Sequence, residues 1–286
     1  AGAGDLGDPG EGVSALGAML NSPRAVAADV QGNVYFSDQD ANRVRRLTAQ
    51  SISIRTIQNA ASQVAGPIAP GEAVSIFGSR LGPVTGVSGT VINGVIGSAL
   101  SGTRVLFDGV AAPLLYAGLS QINAIVPYSV AGKSIVRVQV EVQGLIGDSF
   151  DIAVRDAAPG LFTADQSGVG QAAAVNQAGS INSAAAPAPV GSIVSLYLTG
   201  EGQTIPSGAS GQLIGSTVLP KPVLPVSVSI QGIAAEILYA GAAPQAAGLM
   251  QINVRIPSGV TASDRAPVSV VIGSFPAQPA VTLAVR

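Results

Sequence analysis

Several residue types are absent or scarce in this chain, and each absence excludes a class of chemistry. The 286 residues include no His, Cys or Trp, so Ser-His-Asp or Cys-His catalysis, zinc fingers and His-ligated haem are excluded. Charged residues make up 10% of the chain, against about 25% in a typical soluble domain. With 14 basic and 16 acidic residues, the net charge of -2 offers no cationic surface for nucleic acid.

Long apolar runs are also absent, although 47% of the residues are hydrophobic. A membrane-spanning helix needs about 20 consecutive apolar residues, and Gly, Pro, Ser or Asn interrupts every apolar run here. We therefore predict no transmembrane segment. The first residues carry no basic region followed by an apolar core, and a mature chain would begin in this way after removal of its signal peptide.

The dominant pattern along the chain is alternation of apolar and polar residues. Residues 136–142 read Val-Arg-Val-Gln-Val-Glu-Val, which places every Val on one face of a half-buried strand. Residues 225–230 and 268–272 alternate in the same way. Many short strands separated by Gly- and Pro-containing turns predict an all-β fold built from sandwiches.

An internal repeat divides most of the chain into two copies. The paired blocks are Val-Ser-Ile-Phe at 74–77 with Val-Ser-Leu-Tyr at 194–197, Leu-Tyr-Ala-Gly at 115–118 and 238–241, Gln-Ile-Asn at 121–123 and 251–253, and the ends 152–155 and 283–286. Each copy has the size of an immunoglobulin-type sandwich. We therefore predict two tandem Ig-like β-sandwiches at 57–155 and 164–286, joined by a linker at 156–163.

The front of the chain has a different pattern. Residues 20–47 read as strand, turn, strand, turn, strand, with Pro-Arg-Ala-Val-Ala, Gly-Asn-Val-Tyr and Asn-Arg-Val-Arg in order. This stretch resembles one NHL repeat, the four-stranded blade of a β-propeller, and we predict an NHL-like β-unit at 20–56 after an extension at 1–19. Because a propeller needs several blades, a single blade leaves unpaired edges.

The remainder resembles the Solibacter-type C-terminal domain family. The resemblance depends on Asn-Ala-Ala-Ser at 59–62, the segments 69–78 and 115–127, and Leu-Thr-Gly-Glu-Gly-Gln at 198–203, and it covers residues 57–286. It implies export to the cell exterior or surface of a bacterium and a tandem Ig-like architecture. It implies no activity, since the family supplies no catalytic residues.

The candidate sites for chemistry are few. Asp38, Asp40 and Asn42 have the spacing of the first three ligands of a calcium loop, but the sixth position, which such a loop fills with Gly, holds Arg43. Paired carboxylates could hydrolyse a glycoside without His, but the acidic residues of the repeats are sparse, and apart from the neighbourhood of Glu72 the two copies do not share them. We therefore predict a protein that is not an enzyme and has no cofactor.

These features together suggest a structural protein that polymerises. An incomplete β-unit is stabilised when it pairs with a strand of a neighbour, and a head-to-tail contact of this kind propagates into a fibre. The candidate contact residues are Val13, Leu16, Leu20, Ile52 and Ile54. The alternative is a non-catalytic adhesion module that binds an extracellular polysaccharide or a surface protein through the inserted loop at 201–222.

Overall fold

The structure, a computed structural model, describes residues 15, 18–29, 33–47, 51–215 and 218–286. The chain divides into two compact units, Ala1–Ser51 and Ile52–Arg286. Apart from a 3-10 turn at Tyr128–Val130, the regular structure of the described residues consists of β-strands. The predicted all-β class is confirmed.

The first unit contains a three-stranded antiparallel sheet. Its strands are β1 (Pro23–Ala28), β2 (Val34–Asp38) and β3 (Arg43–Leu47), paired in the order β1-β2-β3. The strands follow the two turns expected from the sequence. Among the described residues of this unit, the buried apolar side chains are Ala18 and Phe36, so these residues contribute very little core to the sheet.

The first sandwich begins directly after this unit. Its strands are β4 (Ser53–Asn59), β5 (Ala73–Ser79), β6 (Val87–Ser88), β7 (Val91–Ile92), β8 (Val95–Ile96), β9 (Thr103–Phe107), β10 (Val110–Ala111), β11 (Leu114–Ala117), β12 (Gln121–Ile125), β13 (Ile135–Val142), β14 (Leu145–Ile146) and β15 (Phe150–Ala153). The predicted end of the NHL-like unit at 56 falls inside β4. The structure ends the first unit at Ser51 because Ile54 and Ile57 of β4 pack on the sandwich core.

The second sandwich occupies the rest of the chain. Its strands are β16 (Gly160–Leu161), β17 (Gly170–Gln171), β18 (Ala174–Asn176), β19 (Ile193–Thr199), β20 (Thr204–Ile205), β21 (Lys221–Pro222), β22 (Val226–Ile230), β23 (Ile233–Ala234), β24 (Glu236–Ala242), β25 (Met250–Arg255), β26 (Ser263–Ile272), β27 (Phe275–Pro276) and β28 (Val281–Val285). The predicted linker at 156–163 contains β16, which pairs with β19 as part of this sandwich.

The order of the strands identifies both sandwiches as Ig-like. In the first, β4-β5-β12-β11 forms one sheet and β10-β9-β13-β15 forms the other. In the second, β16-β19-β25-β24 faces β17-β28-β26-β22-β23. In immunoglobulin lettering, both copies therefore have an A-B-E-D sheet opposite a sheet that contains C, F and G.

The alternation predicted for residues 136–142 explains how each core is filled. Val136, Val138 and Val140 of β13 are buried, whereas Arg137 on the opposite face is exposed. Successive side chains of a strand point to opposite faces, so one face of β13 contributes to the core and the other meets solvent. The same alternation places Val268, Val270 and Ile272 of β26 in the second core.

The repeated Leu-Tyr-Ala-Gly block marks a β-bulge that both copies share. The pairing of β11 with β12 shifts at Leu115, and the pairing of β24 with β25 shifts at Leu238. The Tyr that follows each Leu turns its ring over the Gly two residues later, where an added Cβ would lie 2.8 Å from the Tyr hydroxyl. The block is therefore repeated because one bulged strand is built twice.

Candidate functional site

The first unit presents an exposed edge strand. All six residues of β1 are exposed, including Val26, and β1 pairs only with β2 among the described residues. On the opposite edge of the sheet, Val44 of β3 is also exposed. Unpaired edges with apolar side chains are the places where another strand can add to a sheet.

The three calcium candidates are used in different ways. Asp38 is fully buried; its Oδ1 accepts a hydrogen bond from the backbone N–H of Asn21 at 2.6 Å, and its Oδ2 lies 2.6 Å from Nε of Arg45. Asp40 accepts a hydrogen bond from the hydroxyl of Ser22. Asn42 forms the turn into β3 with a φ of 51°. Both oxygens of Asp38 are therefore engaged within the unit.

The candidate contact residues lie in different places. Val13 and Leu16 fall outside the described residues, and Leu20 is half-buried. Ile52 and Ile54 pack against the core of the first sandwich, and β4 pairs along its length with β5 of the same chain. Exchange of this strand between chains would require it to leave its own sandwich, so the exposed edge of the first unit is the better candidate contact.

The two sandwiches meet at a junction where side chains form hydrogen bonds with main-chain groups. The backbone N–H of Ala73 donates to Oγ1 of Thr199 at 2.8 Å, and this hydroxyl donates to the carbonyl oxygen of Gly248 at 2.7 Å. Nδ2 of Asn59 donates to the carbonyl oxygen of Ala158 in the linker at 2.9 Å. Thr199 and Asn59 are both buried, so these hydrogen bonds connect the first sandwich to the second away from solvent.

Two carboxyl groups are buried in this junction. Oε1 of Glu72 accepts from Nδ2 of Asn59 at 2.9 Å, and its Oε2 accepts from the backbone N–H of Ala69 at 2.7 Å. Glu201 is also buried, and its Oε2 has no hydrogen-bond donor among the described residues. Burial raises the pKa of Glu72 to about 8 and that of Glu201 to about 7, and the charge of Glu201 contributes to the rise at Glu72.

A small cavity adjoins Glu201. Its lining includes Ile125, Tyr128 and Gly248, and its volume of about 20 Å³ is roughly the space of one water molecule. Burial is the main cause that raises the pKa of the Tyr128 hydroxyl, and the charge of Glu201 adds to it. A sugar ring does not fit this space, so the two glutamates do not form a glycosidase cleft here.

Sequence reasoning missed this pair of glutamates, although the repeat contains a signal. When the copies are aligned on Val74 and Val194, Glu72 corresponds to Ser192, and Glu201 corresponds to Leu81. Leu81 is fully buried in the first core. A Glu at a position where the sister copy buries a Leu indicates a special environment, and here that environment is the junction.

The inserted loop at 201–222 is largely engaged within the chain. The backbone N–H of Ile96 donates to the carbonyl oxygen of Gly211 at 2.8 Å, and that of Leu213 donates to the carbonyl oxygen of Gly94 at 2.8 Å. The middle of the loop therefore lies along the β7–β8 hairpin of the first sandwich. This placement differs from the free contact surface that the sequence suggested.

The repeated Gln-Ile-Asn block forms the same hydrogen bond in both copies. Nε2 of Gln121 donates to Oδ1 of Asn123 at 2.8 Å, and Nε2 of Gln251 donates to Oδ1 of Asn253 at 2.8 Å. The two side chains of each block lie on one face of a strand, two residues apart. The block is explained by this pairing on the outer face of the A-B-E-D sheet.

Comparisons with known proteins add little to this description. No family model matches the chain, and no curated protein matches it. Among solved structures, the I9–I11 tandem of titin matches 89% of this chain and 73% of its own length, with 10% identity and a TM-score of 0.21. This similarity is too low to establish a shared fold, and the strand order is what identifies the sandwiches as Ig-like.

Two further observations concern membranes and metals. No helix within the described ranges has the length and apolar character needed to cross a membrane. In the same part of the chain, no three Asp or Glu side chains converge in a group that could hold a metal ion.

Proposed function

We propose that this chain is a structural subunit of the bacterial cell surface whose copies associate head to tail through strand pairing. The edge of the first unit is the contact that drives this association. The resemblance to the Solibacter-type C-terminal domain family supports a location outside the cell. The proposal describes a non-catalytic protein without a cofactor.

The observation that carries the proposal is the exposed edge strand of the first unit. A sheet needs an apolar face packed on a partner, and an isolated small sheet is marginally stable. Here β1 is exposed along its whole length, and Phe36 is the only large apolar side chain buried among the described residues of the unit. Pairing with a neighbouring chain would satisfy the backbone groups of β1 and cover Val26.

The hydrogen bonds between the two sandwiches support a role as a fibre subunit. A head-to-tail contact generates a regular fibre only when each subunit holds a fixed geometry between its two ends. The hydrogen bonds at Thr199 and Asn59, together with the docked loop at 201–222, fix the two sandwiches relative to each other. The low charge of the chain also means that few charges lose water when subunits pack together.

Light scattering and electron microscopy of the full chain test the proposal. We expect assemblies larger than the 28.2 kDa subunit, and we expect V26K to disrupt them because a Lys on an edge strand opposes pairing. V84K is the matched control, since Val84 is exposed in a loop of the first sandwich. A strictly monomeric wild-type chain, or equal assembly by V26K and V84K, would contradict the proposal.

The adhesion alternative has less support. Its predicted contact surface was the loop at 201–222, and the middle of that loop is bonded to the β7–β8 hairpin. The β20–β21 hairpin, where Ile205 is exposed, is the part of the loop that would remain for a polysaccharide or protein partner. Binding that survives substitution of Ile205 would exclude this surface.

A further inference from the structure

The junction between the sandwiches combines two buried carboxyl groups that come from different sandwiches. Glu72 precedes β5 in the first, and Glu201 follows β19 in the second. We propose that this junction is a pH-sensitive clamp, which is closed while the pair carries at most one negative charge and is loosened when both carboxyl groups are ionised.

No cation compensates the two buried carboxyl groups within the part of the chain that the structure describes. Among the described residues, neither carboxyl group forms an ion pair with Lys or Arg, although both are almost completely buried. The other titratable group facing Glu201 is Tyr128, and the nearby charged residues Arg155 and Asp156 are exposed. Two buried like charges without a cation repel each other and lose their hydration.

The carboxyl groups of Glu72 and Glu201 differ in their hydrogen bonding. Both oxygens of Glu72 accept hydrogen bonds, from Asn59 and from Ala69, so a single negative charge is accommodated there. Oε2 of Glu201 has no donor among the described residues and adjoins a space of about one water. A charge on Glu201 would have no donor at Oε2 and space for about one water beside it, so a backbone N–H is its main support, and ionisation of both groups would add their mutual repulsion.

The backbone around Glu201 has no room to move while the junction is closed. Gly200 and Gly202 flank Glu201 with φ of 83° and 80°, and a Cβ at either position would overlap the backbone carbonyl of Ala158 or Asp156. This close approach fixes the backbone on both sides of the carboxyl group. Relief of the repulsion therefore requires the second sandwich, which holds the linker through β16, to move away from Glu72 and Asn59 of the first sandwich.

The experiment measures the distance between the sandwiches. Because the chain has no Cys, V110C and I233C introduce one spin label on each sandwich, at exposed positions in β10 and β23. We expect a single narrow distribution of label-to-label distances at about pH 5. At about pH 9, after both carboxyl groups have ionised, we expect this single distribution to be lost. Far-UV circular dichroism should show that the strands persist at both values.

Three variants in the doubly labelled chain decide the result. E201Q and the double variant E72Q/E201Q should keep the narrow distance distribution at about pH 9, because at most one charge remains in the pair. E236Q is the matched control, since Glu236 lies on the exposed face of β24, and it should behave as the unsubstituted labelled chain does. A distance that stays narrow in that labelled chain, broadens equally in E201Q, or is lost through unfolding of the strands would overturn the proposal.

Discussion

At the scale of single residues, two glycines of the junction show how closely the chain after β19 approaches the linker. Gly200 and Gly202 adopt positive φ, and each lies against a backbone carbonyl of the linker. A side chain there would meet main-chain atoms, which move less easily than the end of a flexible side chain. Glycine is required at these positions for two reasons, the left-handed backbone and the lack of space.

Substitution of Gly200 separates these two reasons. Gly191 has nearly the same φ, 80° against 83°, but a Cβ there would have no atom within 4 Å. We expect G191A to lower the free energy of unfolding by about 1 kcal/mol through backbone strain alone, and G200A to lower it by about 2 kcal/mol more through overlap with Ala158. If denaturant unfolding shows that G191A and G200A lower the free energy of unfolding equally, the close contact between Gly200 and Ala158 is contradicted.

A second prediction at this scale concerns Glu201 and pH. Because burial raises both carboxyl pKa values above the ordinary 4.5, ionisation is less favourable in the folded chain than in the unfolded chain. Stability is therefore highest at or below pH 4.5 and falls as pH rises through about 7 and about 8. We expect E201L, which copies Leu81 of the first sandwich, to remove part of this fall.

The measurement is the free energy of unfolding across that pH range. Above pH 8, E201L should be more stable than the wild type by about 1 to 4 kcal/mol, as when buried charges are replaced by well-packed apolar groups. E236L is the control, and its change should stay within about 0.5 kcal/mol because Glu236 is exposed. A pH dependence that is the same in E201L and the wild type would contradict the assignment.

At the scale of elements, local pattern was sufficient for the strands and insufficient for their partners. The alternation at 136–142 predicted β13, because a two-residue period is a property of consecutive residues. The Leu-Tyr-Ala-Gly repeat was visible, but its bulge required the pairing of β11 with β12. The junction could not be predicted, since Ala73 and Thr199 are 126 positions apart and no short pattern connects them.

The ion pair between β2 and β3 gives a prediction for one element. Arg45 neutralises the fully buried Asp38, so R45M leaves that carboxylate without a cation. We expect a loss of about 3 kcal/mol, seen as faster hydrogen exchange of the β2 and β3 amides. R46M is the adjacent control, because Arg46 is exposed. If both variants exchange at the same rate, the ion pair does not stabilise this sheet.

At the scale of the whole molecule, the two sandwiches are copies of one plan that differ where they meet. The β5-β12-β11 strands of the first correspond to β19-β25-β24 of the second, with the same bulge. Two of the differences lie at the junction, where Glu72 stands at the position of Ser192 and Glu201 at that of Leu81. The repeated strand plan therefore accounts for the two cores, and residues that differ between the copies lie at their contact.

Truncation at two positions tests where the pair of sandwiches begins. A chain of residues 52–286 keeps all of β4, including Ile54, which packs on the first core. A chain of residues 57–286 follows the boundary predicted from the sequence and removes the first half of that strand. We expect the longer fragment to retain the thermal stability of the sandwiches, and the shorter one to lose several kcal/mol because it exposes the core beneath Ile54.

The same two fragments test how assembly depends on the first unit. Both lack β1, so neither should form the assemblies expected of the full chain, although the 52–286 fragment stays folded. This combination separates loss of the contact from loss of the fold, which a single truncation cannot do. Assemblies formed by a folded 52–286 fragment would move the contact from β1 to the sandwiches, and equal stability of the two fragments would place the boundary at 56 after all.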